Sequence, residues 1–384
     1  MSSTTPETSP PGTDPGQDGS TPRVDEPAPT GKRRVLFVVG SGRSGTSTMS
    51  GTLQTLGMHV PQPEVVADES NPRGFGEPRW VVDLHNELLK RVNVQVSDAR
   101  PSAWFETGKQ STNEALRAQI HEWLEQQFEE GGDELVVKDP RLAWYLGLWR
   151  SAALRAGATC SHVTMLRPVT EVVGSKQKYY AKRFGEVNRV AAWVNMMLHT
   201  ERSTRGSLRA FVRYADMLDD WTVPVHDLGE RFDLHAVRAA TAKDIRKVHQ
   251  FIDPTLRRVQ LTWDDVPVPA RLREIADGTW NSLDALATPG GDTEAEHARL
   301  DELRQVFTEA YEEAEAMSQS TAIAAQRAGA AGERERLGAQ GAAGAPGAGP
   351  ADGGRLADKV PHSVRAMVPA GARRRVRAAL NRQR

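Results

Sequence analysis

Short apolar runs alternate with longer amphipathic segments along the chain up to about residue 215. The short runs have the length and composition of buried β-strands, and they cover 35–39, 135–137, 162–166 and 208–214. In the segments between them, apolar residues recur at helical spacing over 49–56, 115–128, 142–155, 172–180 and 190–202. Strands that alternate with helices in this way predict an α/β fold with a parallel central sheet flanked by helices.

A parallel sheet also predicts where a ligand binds. Right-handed connections between parallel strands place the C-terminal ends of all the strands at one edge of the sheet. In folds of this kind, ligands bind at that edge. We therefore expect ligand-binding and catalytic residues directly after each predicted strand.

A longer helical pattern follows the α/β region and predicts a C-terminal helical extension over 289–327. Because only about three heptads are present, this pattern favours packing on the core over an intermolecular coiled coil. Its apolar stripe consists of Leu300, Leu303, Phe307, Ala310, Ala314 and Met317. Gly and Ala then dominate 328–354, a composition that predicts a flexible linker.

The two ends of the chain differ in composition from the main domain, which we assign to 33–288. Residues 1–32 are rich in Pro, Ser and Thr, and we expect this tail to be disordered because it has few apolar side chains to bury. Residues 355–384 contain nine basic residues and one acidic residue among scattered apolar ones. Two interpretations of this basic tail stay open: an amphipathic element on anionic lipid, or a solvated tail whose prolines interrupt any single helix.

The charge balance and the single cysteine exclude several classes of protein. The chain has 49 Lys and Arg against 50 Asp and Glu, so its formal net charge is −1, whereas a nucleic-acid binder is usually basic. Cys160 is the only cysteine, which excludes an intrachain disulfide and a cysteine-based zinc site. The sequence shows no secretory signal and no apolar run near the roughly 18–20 residues of a membrane helix. We expect a cytoplasmic protein, at most peripheral to the inner face of the membrane.

The first predicted strand leads into a glycine-rich turn and the start of a helix. Glycines allow a tight turn and a close approach of the backbone, while hydroxyl groups and an arginine add donors. The helix N-terminus contributes free N–H groups and a favourable dipole, so this turn predicts a phosphate-binding site. The residues that we expect to bind are Gly42, Arg43, Ser44, Gly45, Thr46, Ser47 and Thr48.

This turn differs from the P-loop of nucleotide triphosphatases. Gly40 and Gly45 have the P-loop spacing, but Thr46 stands where the P-loop has its lysine. That lysine reaches the β- and γ-phosphates, and the hydroxyl after it holds Mg²⁺. ATP and GTP are therefore a poor fit, and a donor with one short phosphate-type group and no required metal fits better.

Residues 42–47 resemble the 5′-phosphosulfate loop of the sulfotransferases, which bind 3′-phosphoadenosine 5′-phosphosulfate (PAPS). The loop of that family reads Pro-Lys/Arg-Ser-Gly-Thr-Thr/Ser, and Gly42 replaces its proline here. A second motif agrees, because Arg167 ends the third predicted strand and Ser175 follows eight residues later. In the family, an arginine and a serine at this spacing hold the 3′-phosphate of the donor. An arginine at a strand end that faces a hydroxyl on the next helix is also a plausible phosphate clamp on physical grounds.

Weaker similarities extend the resemblance over about residues 33–285. Tyr214, in 213–217, is similar to a family tyrosine that contacts adenine, and Arg257 is a further candidate for the 3′-phosphate although the usual Arg-Lys-Gly signature is missing. The Asn-Pro-x-Gly-Phe segment at 71–75 and the Lys-Asp-Pro-Arg segment at 138–141 resemble bacterial members. The resemblance implies a P-loop-like, three-layer sulfotransferase fold with PAPS as donor and no metal. It also implies transfer of a sulfuryl group to a hydroxyl or amine of a carbohydrate, glycolipid or small-molecule acceptor.

The resemblance also implies roles for the catalytic groups. Arg43, helped by backbone amides at 44–46, is expected to neutralise the leaving phosphate, and Lys138 to steady the sulfuryl group. Cytosolic family members use a histidine just after the second strand as general base, but none stands there in this chain. Three candidates remain for the base: Glu77, which we favour slightly, then Asp139, then His85.

Two other functions stay open at this point. Residues 135–139 are similar to the acidic strand end that holds Mg²⁺ in nucleotide triphosphatases, which supports a P-loop kinase or NTPase-like phosphotransferase. The basic tail supports a peripheral membrane or partner-binding module.

Overall fold

The computed structural model describes residues 31–69, 71–179, 185–252 and 261–343, without the side chains of 177–179 and 335–343. Residues 1–30 of the predicted N-terminal tail lie outside these ranges. The basic tail at 355–384 and the candidate Arg257 also lie outside them.

Four parallel strands form the central sheet, as the sequence predicts. The strands are β1 (Arg34–Val39), β2 (Glu134–Lys138), β3 (Thr159–Leu166) and β4 (Leu208–Arg213). Their order across the sheet is β2-β1-β3-β4, and every neighbouring pair is parallel. The fourth strand ends one residue earlier than predicted, because Tyr214 begins the next helix.

Helices connect the strands and continue beyond them to residue 343. Their bounds are α1 Thr46–Thr55, α2 Arg79–Arg91, α3 Ala103–Gln110, α4 Glu114–Gly131, α5 Leu146–Arg155, α6 Val169–Tyr179, α7 Glu186–Thr204, α8 Tyr214–Asp220, α9 Thr222–Arg231, α10 His235–Arg238, α11 Ala242–Phe251, α12 Ala270–Leu286 and α13 Glu294–Ala343. A 3₁₀ helix, Pro140–Tyr145, directly precedes α5 and forms the first part of the single helix predicted at 142–155.

The sheet is buried on both faces, which explains why its strands are apolar throughout. Val35, Phe37 and Val39 of β1 pack on one side with residues of α4 and α5. Leu36 and Val38 point to the opposite side, where they pack with residues of α1, α9 and α11. All five side chains have 0% exposed surface. The architecture is therefore helix, sheet, helix, as the fold class predicts.

A third apolar cluster joins the β3 and β4 side of the sheet to the later helices. It contains Leu166 and Phe211 from the strands together with residues of α6, α7 and α12. Leu300 and Phe307 of α13 are buried in the same cluster, so the start of this helix packs on the core as expected. Met317, which the sequence places on the same apolar stripe, is 83% exposed.

The helix α13 continues to Ala343, whereas the sequence analysis ends it at 327 and assigns a flexible linker from 328. The part of the predicted linker that the structure describes is therefore helical. Alanine is the best helix former, and its abundance here outweighs the glycines. The chain divides into two units, Met1–Ala316 and Met317–Arg384, and this boundary lies inside α13. Side chains 317–334 of the second unit are exposed.

Within the described ranges, no helix combines the length and the apolar character that crossing a membrane requires.

Candidate functional site

The four strand ends bring the predicted site residues to one edge of the sheet. Because all four strands are parallel, the residues that follow them lie on the same side. These residues are the turn 40–45 after β1, Asp139 after β2, Arg167 after β3 and Tyr214 after β4. Candidate site residues from four separate parts of the chain therefore lie at this edge of the sheet.

The turn after β1 has an unusual backbone. Gly40, Arg43 and Gly45 have φ angles of 130°, 78° and 97°. Arg43 has a side chain, and a left-handed conformation at such a residue costs roughly 1–3 kcal/mol and is concentrated at functional sites. Turns of this kind make concavities of backbone N–H groups that bind anions.

The N-terminus of α1 leaves donors without partners at this turn. Gly45 is the N-cap residue, and no side chain caps the N–H groups of the first turn, which contains Thr46, Ser47 and Thr48. The hydroxyl of Ser44 is buried and has no hydrogen-bond partner among the residues described. The Ser44 amide, by contrast, donates to the Ser41 carbonyl at 3.1 Å. The expected amide donors are thus shifted from 44–46 toward the start of α1.

Arg43 is the residue that connects the turn to the predicted 3′-phosphate clamp. Its Nε donates to Ser175 Oγ at 3.0 Å, and its carbonyl accepts from Arg167 Nη1 at 3.1 Å. Arg167 and Ser175 have no hydrogen bond to each other, and Arg167 Nε donates instead to Glu171 Oε2 at 2.9 Å. The structure thus brings Arg43, Arg167 and Ser175 together. Glu171, which sequence reasoning missed, holds the clamp arginine in place.

Tyr214 packs against the phosphate turn. It is buried, and the guanidinium carbon of Arg167 lies 5.1 Å from the centre of its ring. A Cβ atom added at Gly45 would lie 2.2 Å from Tyr214 Cδ2. Glycine is therefore required at position 45 for the ring to lie where it does. Tyr214 stands beside the site, and its ring face is partly covered by Arg167.

Lys138 reaches the turn from the neighbouring strand β2. Its Nζ donates to Ser47 Oγ at 3.2 Å, to the Phe75 carbonyl at 2.9 Å and to Glu77 Oε1 at 2.6 Å. Asn71, which sequence reasoning did not propose, also donates to Ser47 Oγ, at 3.2 Å. The loop 71–77 therefore lies against the turn, and it places the carboxylate of Glu77 beside a buried lysine.

Asp139 and His85 form a separate buried pair. Both side chains have 0% exposed surface, and His85 Nδ1 lies 2.7 Å from Asp139 Oδ2. Trp149 Nε1 donates to His85 Nε2 at 2.8 Å, which assigns the histidine proton to Nδ1 and leaves the ring neutral. Arg141 holds the other carboxylate oxygen at 2.7 Å. Thus both oxygens of Asp139 and both ring nitrogens of His85 already have partners inside the protein.

The pKa of Asp139 reflects this enclosure. Burial raises the pKa, but the hydrogen bond from His85 and the interactions with Arg141 oppose it more strongly. The result is a pKa below the ordinary value for aspartate, so the carboxylate is charged at neutral pH. A carboxylate that is held in this way supports the backbone at 139–141 and has no oxygen directed to an acceptor.

Two further cations, of which Lys176 contacts the turn, were not proposed from the sequence. Lys176 Nζ lies 3.5 Å from Ser41 Oγ and 3.2 Å from Ser97 Oγ, and Arg189 is buried near the start of α7. Lys176 directly follows the predicted clamp serine, which is a signal that the sequence offered. Nothing in the sequence around Arg189 distinguishes it from an ordinary helix residue.

Metal ligands are not grouped in the part of the chain that the structure describes. No set of three or more His, Cys, Asp or Glu side chains in these ranges is arranged to hold a metal ion. The groups that the edge does offer are cations, hydroxyls and backbone amides, and these are the groups that bind phosphate and sulfate.

No protein-family model and no curated protein matches this chain. Among solved structures, the chain is similar to the sulfotransferase domain from the Synechococcus PCC 7002 olefin synthase, with 15% sequence identity and a TM-score of 0.40; the match covers 67% of this chain and 97% of that domain. It is also similar to the sulfotransferase domain from the curacin biosynthetic pathway, with 15% identity and a TM-score of 0.38, over 66% of this chain and 98% of that one.

Proposed function

We propose that this chain is a sulfotransferase that moves a sulfuryl group from PAPS to a hydroxyl or amine of a carbohydrate, glycolipid or small-molecule acceptor. The observation that carries the proposal is the connection of Arg43, Arg167 and Ser175 around a turn with uncapped N–H groups. Two arginines and a helix N-terminus at one sheet edge suit a donor with more than one anionic group.

The residues of the edge fit such a donor. The buried, unpartnered hydroxyl of Ser44 and the free amides of α1 supply donors for the 5′-phosphosulfate. Arg167 and Ser175 would hold the 3′-phosphate, and Tyr214 would contact the adenine. When bound, PAPS supplies the sulfuryl group and a phosphate leaving group.

In this proposal, three side chains take part in the in-line transfer. Arg43 would stabilise the negative charge that develops on the leaving phosphate oxygen. Lys138, which reaches Ser47 at 3.2 Å, would orient the sulfuryl oxygens. Glu77 uses Oε1 to hold Lys138, while its Oε2 lies 3.9 Å from Arg141 Nη1. We assign Glu77 Oε2 as the atom that takes the proton from the acceptor, with Asp139 and His85 supporting the strand end.

The alternative of an NTPase-like phosphotransferase is less well supported. It requires a P-loop lysine, and Thr46 occupies that position. It also requires an acidic strand end for Mg²⁺, and both oxygens of Asp139 are already held, by His85 and Arg141. The lysine that contacts the turn is Lys138, which belongs to β2 and not to the start of α1.

Calorimetric titration with two nucleotides tests the proposal. We expect adenosine 3′,5′-bisphosphate to bind tightly and ATP with Mg²⁺ to bind at least tenfold more weakly, since only the first has a 3′-phosphate. If ATP binds more tightly than adenosine 3′,5′-bisphosphate, the sulfotransferase proposal is wrong and the phosphotransferase alternative is favoured. Labelled PAPS incubated with lipid and metabolite extracts then identifies the acceptor.

Arg167→Ala and Arg43→Ala separate the roles of the two arginines. Loss of a charged hydrogen bond costs about 1.5–3 kcal/mol, so Arg167→Ala should weaken adenosine 3′,5′-bisphosphate roughly ten- to a hundredfold. Arg43→Ala should mainly lower the transfer rate, by about 10²–10³ as for the loss of one oxyanion donor. The exposed Arg79 of α2, changed to Ala, is the matched control. Unchanged nucleotide affinity in Arg167→Ala contradicts the clamp.

A further inference from the structure

Lys176 and Arg189 are cations that have no carboxylate partner among the residues that the structure describes. Lys176, on α6, has only the hydroxyls of Ser41 and Ser97 within reach and no ion pair with any carboxylate in the described ranges. Arg189, near the start of α7, is 9% exposed, and its Nη1 is buried without a hydrogen-bond partner among the described residues. It has no ion pair in those ranges either.

The two cations share one region with Arg43. Burial, and then the positive charges of Arg189 and Arg43, lower the pKa of the Lys176 ammonium group to about 8. Charges of the same sign repel at short range, and an unpaired buried charge costs free energy. Within the described ranges, such a cluster is suited to binding an anion.

Other buried cations of this protein are paired with carboxylates. Lys138 has Glu77 at 2.6 Å, Arg167 has Glu171 at 2.9 Å, and Arg209 has both Glu201 and Asp292. Lys176 and Arg189 depart from this pattern. Their lack of a partner is therefore local to one side of the turn and is not a general property of the chain.

The position of Ser97 indicates which anion these cations serve. Ser97 belongs to the segment between α2 and α3, and so comes from outside the phosphate turn and the Arg167 clamp. The donor groups already have Arg43, Arg167, Ser175 and the amides of α1. Lys176 therefore joins Ser41 of the turn to Ser97 of the α2–α3 segment, and the charge of Arg189 acts on it from α7. These residues suggest an additional subsite next to the donor groups.

We propose that Lys176 and Arg189, with Ser97, bind an anionic group of the acceptor, a carboxylate, sulfate or phosphate, so that the acceptors of this enzyme are anionic. This inference rests on the proposed sulfotransferase function. The same chemistry would suit an anionic group of the donor, and the experiment has to distinguish these two sources.

Inorganic sulfate is the probe, titrated calorimetrically into protein saturated with adenosine 3′,5′-bisphosphate. We expect wild type to bind sulfate, and Lys176→Gln and Arg189→Gln to bind it at least tenfold more weakly. Lys176→Arg and Arg189→Lys keep the charge and should retain most of the affinity. All four variants should bind adenosine 3′,5′-bisphosphate within about threefold of wild type, a margin under 1 kcal/mol.

Several outcomes would overturn the inference. If sulfate does not bind to nucleotide-loaded wild type, these residues do not form an anion subsite. The same holds if sulfate binds to both glutamine variants as tightly as to wild type. If the glutamine variants lose as much affinity for adenosine 3′,5′-bisphosphate as for sulfate, the two cations bind the donor and not the acceptor. If the wild type does not bind adenosine 3′,5′-bisphosphate at all, the proposed function fails. The same sulfate titration of the nucleotide-free protein then still decides whether the cation pair is an anion site.

Two controls protect the experiment from unfolding and from general charge effects. Removing an unpaired cation relieves repulsion, so Lys176→Gln should unfold at the same temperature as wild type or higher. If Lys176→Gln has a clearly lower melting temperature, its loss of sulfate binding is structural, and Arg189→Gln then carries the test, with Arg189→Lys as its charge-keeping control. Lys90→Gln, at an exposed lysine of α2, removes one charge and should leave both binding constants unchanged.

Discussion

Individual residues decide the geometry of the phosphate turn. Arg43 takes a left-handed backbone conformation and thereby directs its guanidinium toward Ser175 on α6. Gly45 has no side chain, and the ring of Tyr214 occupies the space that a side chain would need. A single position thus links the start of α1 to the end of β4.

Gly45→Ala tests this link. Its φ of 97° disfavours a side chain, and the new Cβ would meet Tyr214 Cδ2 at 2.2 Å. We expect loss of about 1–3 kcal/mol of folding free energy together with weaker binding of adenosine 3′,5′-bisphosphate. Thermal unfolding and calorimetry measure the two effects. Gly42→Ala is the matched control for stability, since its Cβ would lie 3.9 Å from the nearest atom, in Pro140. Equal melting temperatures for the two variants would contradict the role of Gly45.

Glu77 and Asp139 are both carboxylates at the sheet edge, yet we expect their substitutions to have different effects. Glu77→Gln should lower the transfer rate by about 10²–10⁴, the usual contribution of a general base, while nucleotide affinity stays near wild type. Asp139→Asn leaves the buried His85 and Arg141 without their charged partner, so it should reduce stability by about 3–5 kcal/mol. Single-turnover rates and denaturant unfolding separate the two. A stable Asp139→Asn with the larger loss of rate would reverse the assignment of the base.

At the scale of secondary structure, the strands were predictable because they are buried on both faces and therefore apolar throughout. The helix at 142–155 was predicted as one element, but its first part is 3₁₀. Asp139, the residue before Pro140, caps this part by accepting from the Arg141 amide. The start of α11 was also predictable from the sequence. Thr241 and Asp244 form a capping box whose spacing is visible in the sequence.

The end of α13 was predicted wrongly because the two abundant residues there, Gly and Ala, have opposite effects on helix formation. Glycine favours a flexible chain, whereas alanine favours a helix, and their sum decides the outcome. Positions Gly329 and Gly332 lie inside the helix and have no atom within 4 Å of an added Cβ. The exposed helix over 317–334 thus depends on intrinsic propensity, which composition alone describes poorly.

At the scale of the whole molecule, the sequence predicted which residues lie at the sheet edge but not their contacts with one another. Motif spacing placed Arg43, Arg167 and Lys138 at the edge of the sheet, because strand ends follow from the apolar runs. The contacts of Arg43 with Ser175 and of Lys138 with Glu77 join residues 132 and 61 positions apart, and no local pattern encodes them. Lys176 and Arg189 were missed for a related reason. They stand out because no carboxylate of the described ranges pairs with them, and this is visible only in the fold.

The unpaired Lys176 also makes the stability of the whole protein depend on pH in a specific direction. Its pKa is about 8 in the folded protein, against the ordinary 10.5, through burial and the charges of Arg189 and Arg43. Between these values the unfolded chain binds a proton that the folded protein lacks, so the free energy of unfolding should rise with pH across this window. The hydroxyls of Ser41 and Ser97, the other groups that face Lys176, do not titrate there.

The expected rise that is due to Lys176 is about 3 kcal/mol between pH 8 and 10.5, since each unit of pKa shift corresponds to 1.36 kcal/mol. Other lysines and tyrosines titrate over the same range, so the measurement is the difference between wild type and Lys176→Gln in denaturant unfolding at several pH values. The two proteins should differ most at pH 7 to 8, with the variant more stable, and should converge toward pH 10.5. A difference that is constant with pH would mean that Lys176 is not held as an unpaired cation. Bound sulfate should reduce the pH dependence of the free energy of unfolding in wild type, because an anion next to Lys176 favours its charged form. The stability of the fold would then depend on whether the subsite is occupied.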